Sequence, residues 1–326
     1  MNDALHRLTS PKSIAIIGVS QDFNKLNGRV LKYLLDKGYE GAILPVNPKY
    51  EEVGGHPCYP DIGSTPGPVD LAVITLPARM VEDAVRQCGA AGVAGAVIFS
   101  SGFGEMGDEG TRMEAALAQA ARESGVRVLG PNGLGMINSF ENAFATFSQY
   151  ADGPTPSGPI GFVTQSGAFG TAICALARNR RLGLGFFVNT GNECDLDFAT
   201  MMSAVLDDDR ITVGAGYLEG VSDGAGFAAV AQKAMALGKP LVVTKVGRSD
   251  AGARAAASHT GSLAGQDAVF DGAARQFGVV RARNEEHMLD IVDMFSTTKL
   301  PAGPGIGIVT QSGGAGAVSY THLTLP

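Results

Sequence analysis

Ile160-Gly-Phe-Val-Thr-Gln-Ser-Gly-Ala-Phe-Gly170 runs from an apolar stretch through a Thr-Gln-Ser-Gly turn into an alanine-rich segment. A short apolar run bounded by polar turn residues reads as a buried strand. The serine at the start of the alanine-rich part reads as a helix beginning. The stretch is therefore one βα unit. It returns 146 positions later as Ile306-Gly-Ile-Val-Thr-Gln-Ser-Gly-Gly-Ala-Gly316, changed only at the third, ninth and tenth places. A strand-plus-turn segment seldom coincides so closely by chance, so the repeat predicts two homologous α/β domains, the second beginning near residue 304. Too few residues follow to close a core. The tail, Tyr320 to Pro326, carries β-branched residues and a proline where the repeat calls for an alanine-rich helix. The expectation is a chain cut within its third domain, with a foreign or frameshifted tail in which His322 carries no functional weight.

Outward from Gly170, LGFFVNT (184–190), AGYLEG (215–220) and PLVVTKVG (240–247) alternate with helical stretches at 167–178, 195–206 and 226–237. In the other direction ADGPTPSGP (151–159) reads as a linker. Before it, SIAIIG (13–18), AILPVN (42–47), VDLAVIT (69–75), GAVIFS (95–100) and VRVLG (126–130) alternate with helix-length stretches at 28–37, 79–90 and 109–124. The pattern predicts doubly wound parallel sheets. It divides the chain into a first domain at 1–150, a second at 151–298 and the start of a third at 299–326.

Composition narrows the class further. A net charge of −7 implies no basic face for nucleic acid, and 45% hydrophobic with 17% charged residues describes a globular chain. The N-terminus has no apolar run of signal-peptide length, and no stretch approaches a membrane span. Cys58, Cys88, Cys174 and Cys194 lie far apart with no zinc spacing, so reduced thiols and a cytoplasmic protein without a metal site are expected. The 45 glycines among 326 residues are roughly twice ordinary usage, as tight turns and close backbone approach to a ligand require.

Three places could carry chemistry. The turn Gly18 to Gly28 joins a strand to a helix, where backbone N–H groups bind phosphate. It is not a dinucleotide fingerprint, since Ser20 and Phe23 interrupt the glycine pattern. The second strand ends in Asn47-Pro48-Lys49, with no acid for a ribose diol and a lysine suited to an extra phosphate. An ordinary turn with a surface lysine fits those residues equally. At the second place Ser166 and Gly167 present N–H groups to an anion, or Ser166 is a plain helix cap. At the third, His259 lies in a tract of small residues, sterically open as a nucleophile with more than one partner must be. A solvated surface histidine is the commoner use of such a residue. Glu219 ends another strand of the same domain and could orient the ring, or be a turn carboxylate.

PVNPKY (45–50), ITLPARM (74–80), FSSGFGEMGDEG (99–110), GPNGLGMIN (130–138), VTQSGAFG (163–170), YLEG (217–220) and GRSDAGARAAASHTGSLAG (247–265) together resemble the NDP-forming acyl-CoA synthetases. These are the ADP-forming acetate–CoA ligase group, related to the α subunit of succinyl-CoA ligase. The resemblance runs from about residue 8 to residue 318. It implies a Rossmann-like CoA-binding domain followed by flavodoxin-like ligase domains, and an acid–thiol ligase acting through an acyl phosphate and a phosphohistidine. His259 would be the phosphorylated residue, Glu219 its supporting glutamate, and Ser166 and Gly167 the phosphate-holding helix start. Gly18, Ser20, Lys49, Pro77 and the Ser100-Ser101-Gly102 turn would contact CoA. Besides CoA and a small carboxylic acid, the resemblance implies an oligomer and an ATP-grasp domain or β subunit. ADP or ATP and Mg²⁺ would bind only there, so this chain alone would not turn over ATP. Two other readings are a CoA-binding sensor or regulatory module of an acyltransferase, and an NAD(P)-dependent oxidoreductase. His259 with Glu219 argues against the first, and the absent glycine fingerprint and absent acid at 47–49 against the second.

Overall fold

The computed structural model describes residues 3–249, 252, 266–303 and 305–324. His259 and the tract around it lie outside the described residues. Residues 1–296 form one compact unit and residues 297–326 another.

The first unit contains two sheets. After helix α1 (Asp3–Thr9), the strands β1 (Ser13–Ile17) and β2 (Ala42–Val46) are joined by helix α2 (Leu26–Asp36). A short ribbon of β3 (Glu52–Val53) and β4 (His56–Pro57) follows. Next come β5 (Leu71–Ile74), α3 (Val81–Ala90), β6 (Gly95–Ile98), α4 (Asp108–Ser124) and β7 (Arg127–Leu129). The parallel sheet has the order β2-β1-β5-β6-β7. Every residue of β1, β5 and β6 is buried, which is why these strands are unbroken apolar runs.

The second sheet is built from β10 (Ile160–Thr164), α5 (Gly167–Asn179), β11 (Leu184–Asn189), α6 (Phe198–Leu206), β12 (Val213–Leu218) and α7 (Gly224–Ala236), then β13 (Leu241–Lys245). Helix α8 (Asp267–Gln276), strand β14 (Val280–Ala282) and helix α9 (Glu285–Thr297) complete it. Its parallel part has the order β11-β10-β12-β13-β14, which repeats the winding of the first sheet. In both, the second strand in sequence lies on one side of the first and the third on the other. Such a reversal opens a crevice at the carboxyl ends of the strands, between the loops that leave in opposite directions.

The sheets also contain strands absent from the sequence reading, β14 and the β3–β4 ribbon among them. Two more, β8 (Gly135–Asn138) and β9 (Ala143–Thr146), form an antiparallel hairpin. The hairpin pairs with the edge of β11, Phe187 opposite Ile137. It therefore belongs to the second sheet although it precedes the 151–159 linker.

A second join runs the other way. The segment after β11 lies along the outer edge of β7, with Asn192 N donating to Pro131 O (2.9 Å), Cys194 N to Gly130 O (3.1 Å) and Leu196 N to Val128 O (3.1 Å). An edge strand that would otherwise present unpaired groups is thereby covered. Asp195 fastens the join. Its carboxylate accepts Arg127 Nε at 2.9 Å, Arg127 Nη2 at 3.2 Å and Val128 N at 2.8 Å.

The second unit contains helix α10 (Gly313–Thr324) and no strand among its described residues. Ile306, Ile308 and Val309 are exposed, with no strand beside them among the described residues. The repeated turn nevertheless forms. Thr310 Oγ1 donates to Ser312 O (3.1 Å) and accepts from Ser312 N (3.1 Å), matching Thr164 Oγ1 with Ser166 O (2.9 Å) and N (3.2 Å). The Tyr320–Thr324 stretch, expected not to continue the helix, is its last part: Thr321 Oγ1 bonds back to Ala317 O, so its hydroxyl is satisfied within the helix.

Asp195→Ala leaves Arg127 and Val128 N without their acceptor. It should cost about 2 kcal/mol, seen as a melting temperature lower by roughly 4–8 °C. An unchanged melting curve would show that the join does not depend on this carboxylate.

Candidate functional site

The crevice of the first sheet holds a cavity of about 400 Å³ lined by Gly18, Asn47, Lys49, Thr75, Leu76 and Pro77 among others. Gly18, just beyond β1, has φ +87°, and a Cβ there would stand 2.9 Å from Leu76 Cδ2. Only glycine lets the chain turn this close to β5. Asn47 braces the same turn: its Nδ2 donates to Val19 O at 2.8 Å and its Oδ1 accepts Lys49 N at 3.0 Å. The position where a dinucleotide site carries its ribose-binding acid thus shapes the loop. Lys49 is exposed at the cavity mouth, as is Pro77.

The remaining residues assigned to CoA stand outside that lining. Ser20 is buried, and its hydroxyl accepts Asp22 N at 3.1 Å within its own loop. Ser100 Oγ donates to Leu76 O at 2.5 Å, and Gly102 N to Glu105 Oε1 at 2.6 Å. Ser101 is exposed.

The crevice of the second sheet holds a cavity of about 450 Å³. It brings together Ser166, Gly167 and Glu219 with residues that sequence reasoning missed, Gln165, Asn192 and Glu193, and an apolar side of Phe99, Leu134 and Phe147. Ser166 is the N-cap of α5 but makes no side-chain cap hydrogen bond, unlike Asp197 and Asp223 on α6 and α7. The plain-cap reading of Ser166 therefore fails. Among the described residues no side chain caps the first-turn N–H groups of α5, and the helix dipole favours an anion there.

Gln165 ties three loops together. Its Oε1 accepts Glu219 N at 2.6 Å and Gly220 N at 3.0 Å, while its Nε2 donates to Gly220 O at 3.1 Å and Glu193 Oε2 at 3.0 Å. Glu193 Oε1 in turn accepts Thr190 Oγ1 at 2.8 Å and Phe198 N at 3.0 Å. Asn192 crosses to the first sheet, donating to Glu105 Oε2 at 2.8 Å and Glu114 Oε2 at 2.7 Å. No group of His, Cys, Asp and Glu able to hold a metal occurs among the described residues. No helix among them is long and apolar enough to cross a membrane.

The two crevices thus give an α/β protein with a helix start at one cavity and Lys49 at the mouth of the other. Comparison with known proteins narrows the class. Residues 12–139 match the CoA binding domain and residues 157–295 the succinyl-CoA ligase like flavodoxin domain. The chain is 40% identical over 315 residues to the α subunit of ADP-forming acetate–CoA ligase II of Pyrococcus furiosus, covering 96% of this chain and 67% of that one. It is 41% identical to ADP-forming acetate–CoA ligase I of Archaeoglobus fulgidus, covering 97% of this chain and 45% of that one. Its fold superposes with a TM-score of 0.90 on acetyl-coenzyme A synthetase 1 of Candidatus Korarchaeum cryptofilum, described as dinucleotide forming and solved with phosphate and ADP. That match has 38% identity and covers 98% of this chain and 68% of the other. The chain belongs to the NDP-forming acyl-CoA synthetases, among relatives of the ADP-forming acetate–CoA ligase α-subunit type. It spans about two thirds of the α subunit and less than half of the longer ligase.

Burial pushes the Glu193 carboxyl up to about 7, against hydrogen bonds from Thr190 and Gln165 and with the Asp197 charge adding to the rise. An unfolded glutamate titrates near about 4.3. Between those values the folded chain holds a proton that the unfolded chain has lost. Stability should therefore fall as pH rises through this window and level off above it. Melting temperatures of wild type and Glu193→Gln should converge toward low pH and separate, in favour of the variant, by pH 8. Parallel curves would show that this carboxyl titrates as in water.

Proposed function

We propose that this chain is the CoA-binding and phosphate-carrying part of an acyl-CoA synthetase. The overall reaction is the reversible conversion of a small carboxylic acid, CoA and a nucleoside triphosphate to acyl-CoA, nucleoside diphosphate and phosphate. The observation that carries the reading is the uncapped start of α5 opposite Glu219, at the sheet reversal next to a CoA-type domain.

In the acyl-CoA-consuming direction, a phosphate oxygen attacks the thioester carbonyl. The C–S bond breaks, CoA leaves as thiolate, and an acyl phosphate forms with its phosphoryl group on the N–H groups of Gly167 and its neighbours. An imidazole nitrogen of His259 then attacks phosphorus, the P–O bond to the acyl group breaks, and the carboxylate departs with the electron pair. Glu219 accepts the remaining ring N–H and stabilises the charge that develops on the ring. Phe99, Leu134 and Phe147 face the acyl group.

CoA occupies the first cavity, where Lys49 meets its phosphates and Gly18 and Pro77 flank it. Ser20 and the 100–102 turn shape the loops around it. The phosphohistidine carries its phosphoryl group to ADP on an ATP-grasp domain or β subunit, which also holds Mg²⁺. The protein works in the cytoplasm as an oligomer.

Calorimetric titration of the chain should show CoA binding, weakened about tenfold by Lys49→Ala as one charge-assisted contact is lost. Binding of NADH or NADPH with no response to CoA would overturn the assignment.

A further inference from the structure

We propose that Glu193 is a positioning residue of this site, fixing the Gln165 carboxamide in the single orientation that holds Glu219 toward the cavity. The inference rests on the role given above to Glu219, which it extends to a residue that reaches Glu219 through Gln165.

The side-chain amide of Gln165 is committed on both ends. Its oxygen takes two backbone N–H groups, from Glu219 and Gly220, and its nitrogen gives to Gly220 O and to Glu193 Oε2. A flipped amide would set its oxygen against the Gly220 carbonyl and its NH₂ against two backbone N–H donors. Of these four partners three are backbone groups of a single loop, able to shift together. The fourth is a carboxylate anchored on the opposite side. Thr190 Oγ1 and Phe198 N hold Glu193 Oε1, which leaves Oε2 aimed at Gln165.

Glu193 sustains this at a backbone φ of +61°, a region that side chains other than glycine and asparagine seldom occupy. Strain of this kind persists where surrounding contacts over-determine it, commonly at functional sites. The carboxylate thus links the ends of three neighbouring strands: β10 through Gln165, β11 through its own loop, and β12 through Glu219. Each of these ends lines the same cavity.

Two measurements test the inference. The first is hydrogen exchange at the Glu219 and Gly220 amides, followed by mass spectrometry on the intact chain. Glu193→Ala should speed it at least tenfold, and Glu193→Gln, which keeps one of the two acceptor oxygens, by less. The second is single-turnover phosphorylation of His259 from acetyl phosphate, read as acid-labile phosphate on the chain. Glu193→Ala should slow it about 10- to 100-fold, with CoA affinity unchanged and partial rescue in Glu193→Gln. Combined with Gln165→Ala it should add little further loss, since the two side chains act as one unit. Unchanged exchange in Glu193→Ala, or an additive double variant, overturns the clamp. Faster exchange in a chain whose wild type takes no phosphate from acetyl phosphate would instead overturn the role of Glu219, leaving the clamp as a structural tie.

Discussion

Asp195 joins the two halves of this molecule by a single carboxylate that satisfies Arg127 and the exposed edge of β7 together. The loop that carries it leaves β11, and the residues just before it, Asn192 and Glu193, line the second cavity. Docking the loop on β7 therefore sets where those residues stand relative to Phe99 and Leu134, which come from the first sheet and the strand-to-hairpin connection. Covering that edge brings walls of the cavity together from both halves. In the opposite sense the β8–β9 hairpin crosses into the second sheet and presents Phe147, whose ring meets Phe99 edge-on at a centroid distance of 4.7 Å. Two reciprocal crossings make one rigid site from two separately wound sheets.

The same winding in both sheets has a chemical consequence. A reversal of strand order places loops from the first and third strands at one crevice, and a helix start beside it. In the first sheet that crevice carries Gly18, Asn47 and Lys49. In the second it carries the uncapped start of α5, with Glu219 opposite. One topology thus repeats a crevice beside a helix start, which the proposed function assigns to a CoA phosphate in one sheet and to a transferred phosphoryl group in the other. A covalent carrier is the natural way to connect chemistry performed at one such stop with a nucleotide held elsewhere, because it keeps the phosphoryl group out of water between steps.

Much of this was legible in the residues. Buried parallel strands must be apolar on both faces, so SIAII, LAVI, GAVI and LVVTK declared themselves, and Gly or polar residues marked their ends. The Thr-Gln-Ser-Gly turn is encoded locally, and it forms at 310–313 even where no strand accompanies it. Strand character at 306–310 is different, since it depends on a neighbour to pair with. The hairpin was hidden for a related reason. GMIN and AFAT are short and mixed in polarity, and what makes them strands is pairing: GMIN with β11, about fifty residues away, and AFAT with GMIN. The Gln165–Glu193–Glu219 tie was hidden too, because its members come from three loops and only the folded sheet brings them together. A glutamate in Gly-Asn-Glu-Cys, where the turn calls for a left-handed residue, was the one local sign of it.

The central claim is that the α5 start and Glu219 serve a phosphoryl group carried on His259. Its most direct test is to incubate the chain, together with an ATP-grasp partner, with acyl-CoA and labelled phosphate and to map the label. Acid-labile, base-stable phosphate on the peptide containing His259, absent in His259→Ala and reduced in Glu219→Gln, is the predicted result. Label undiminished in His259→Ala would contradict it.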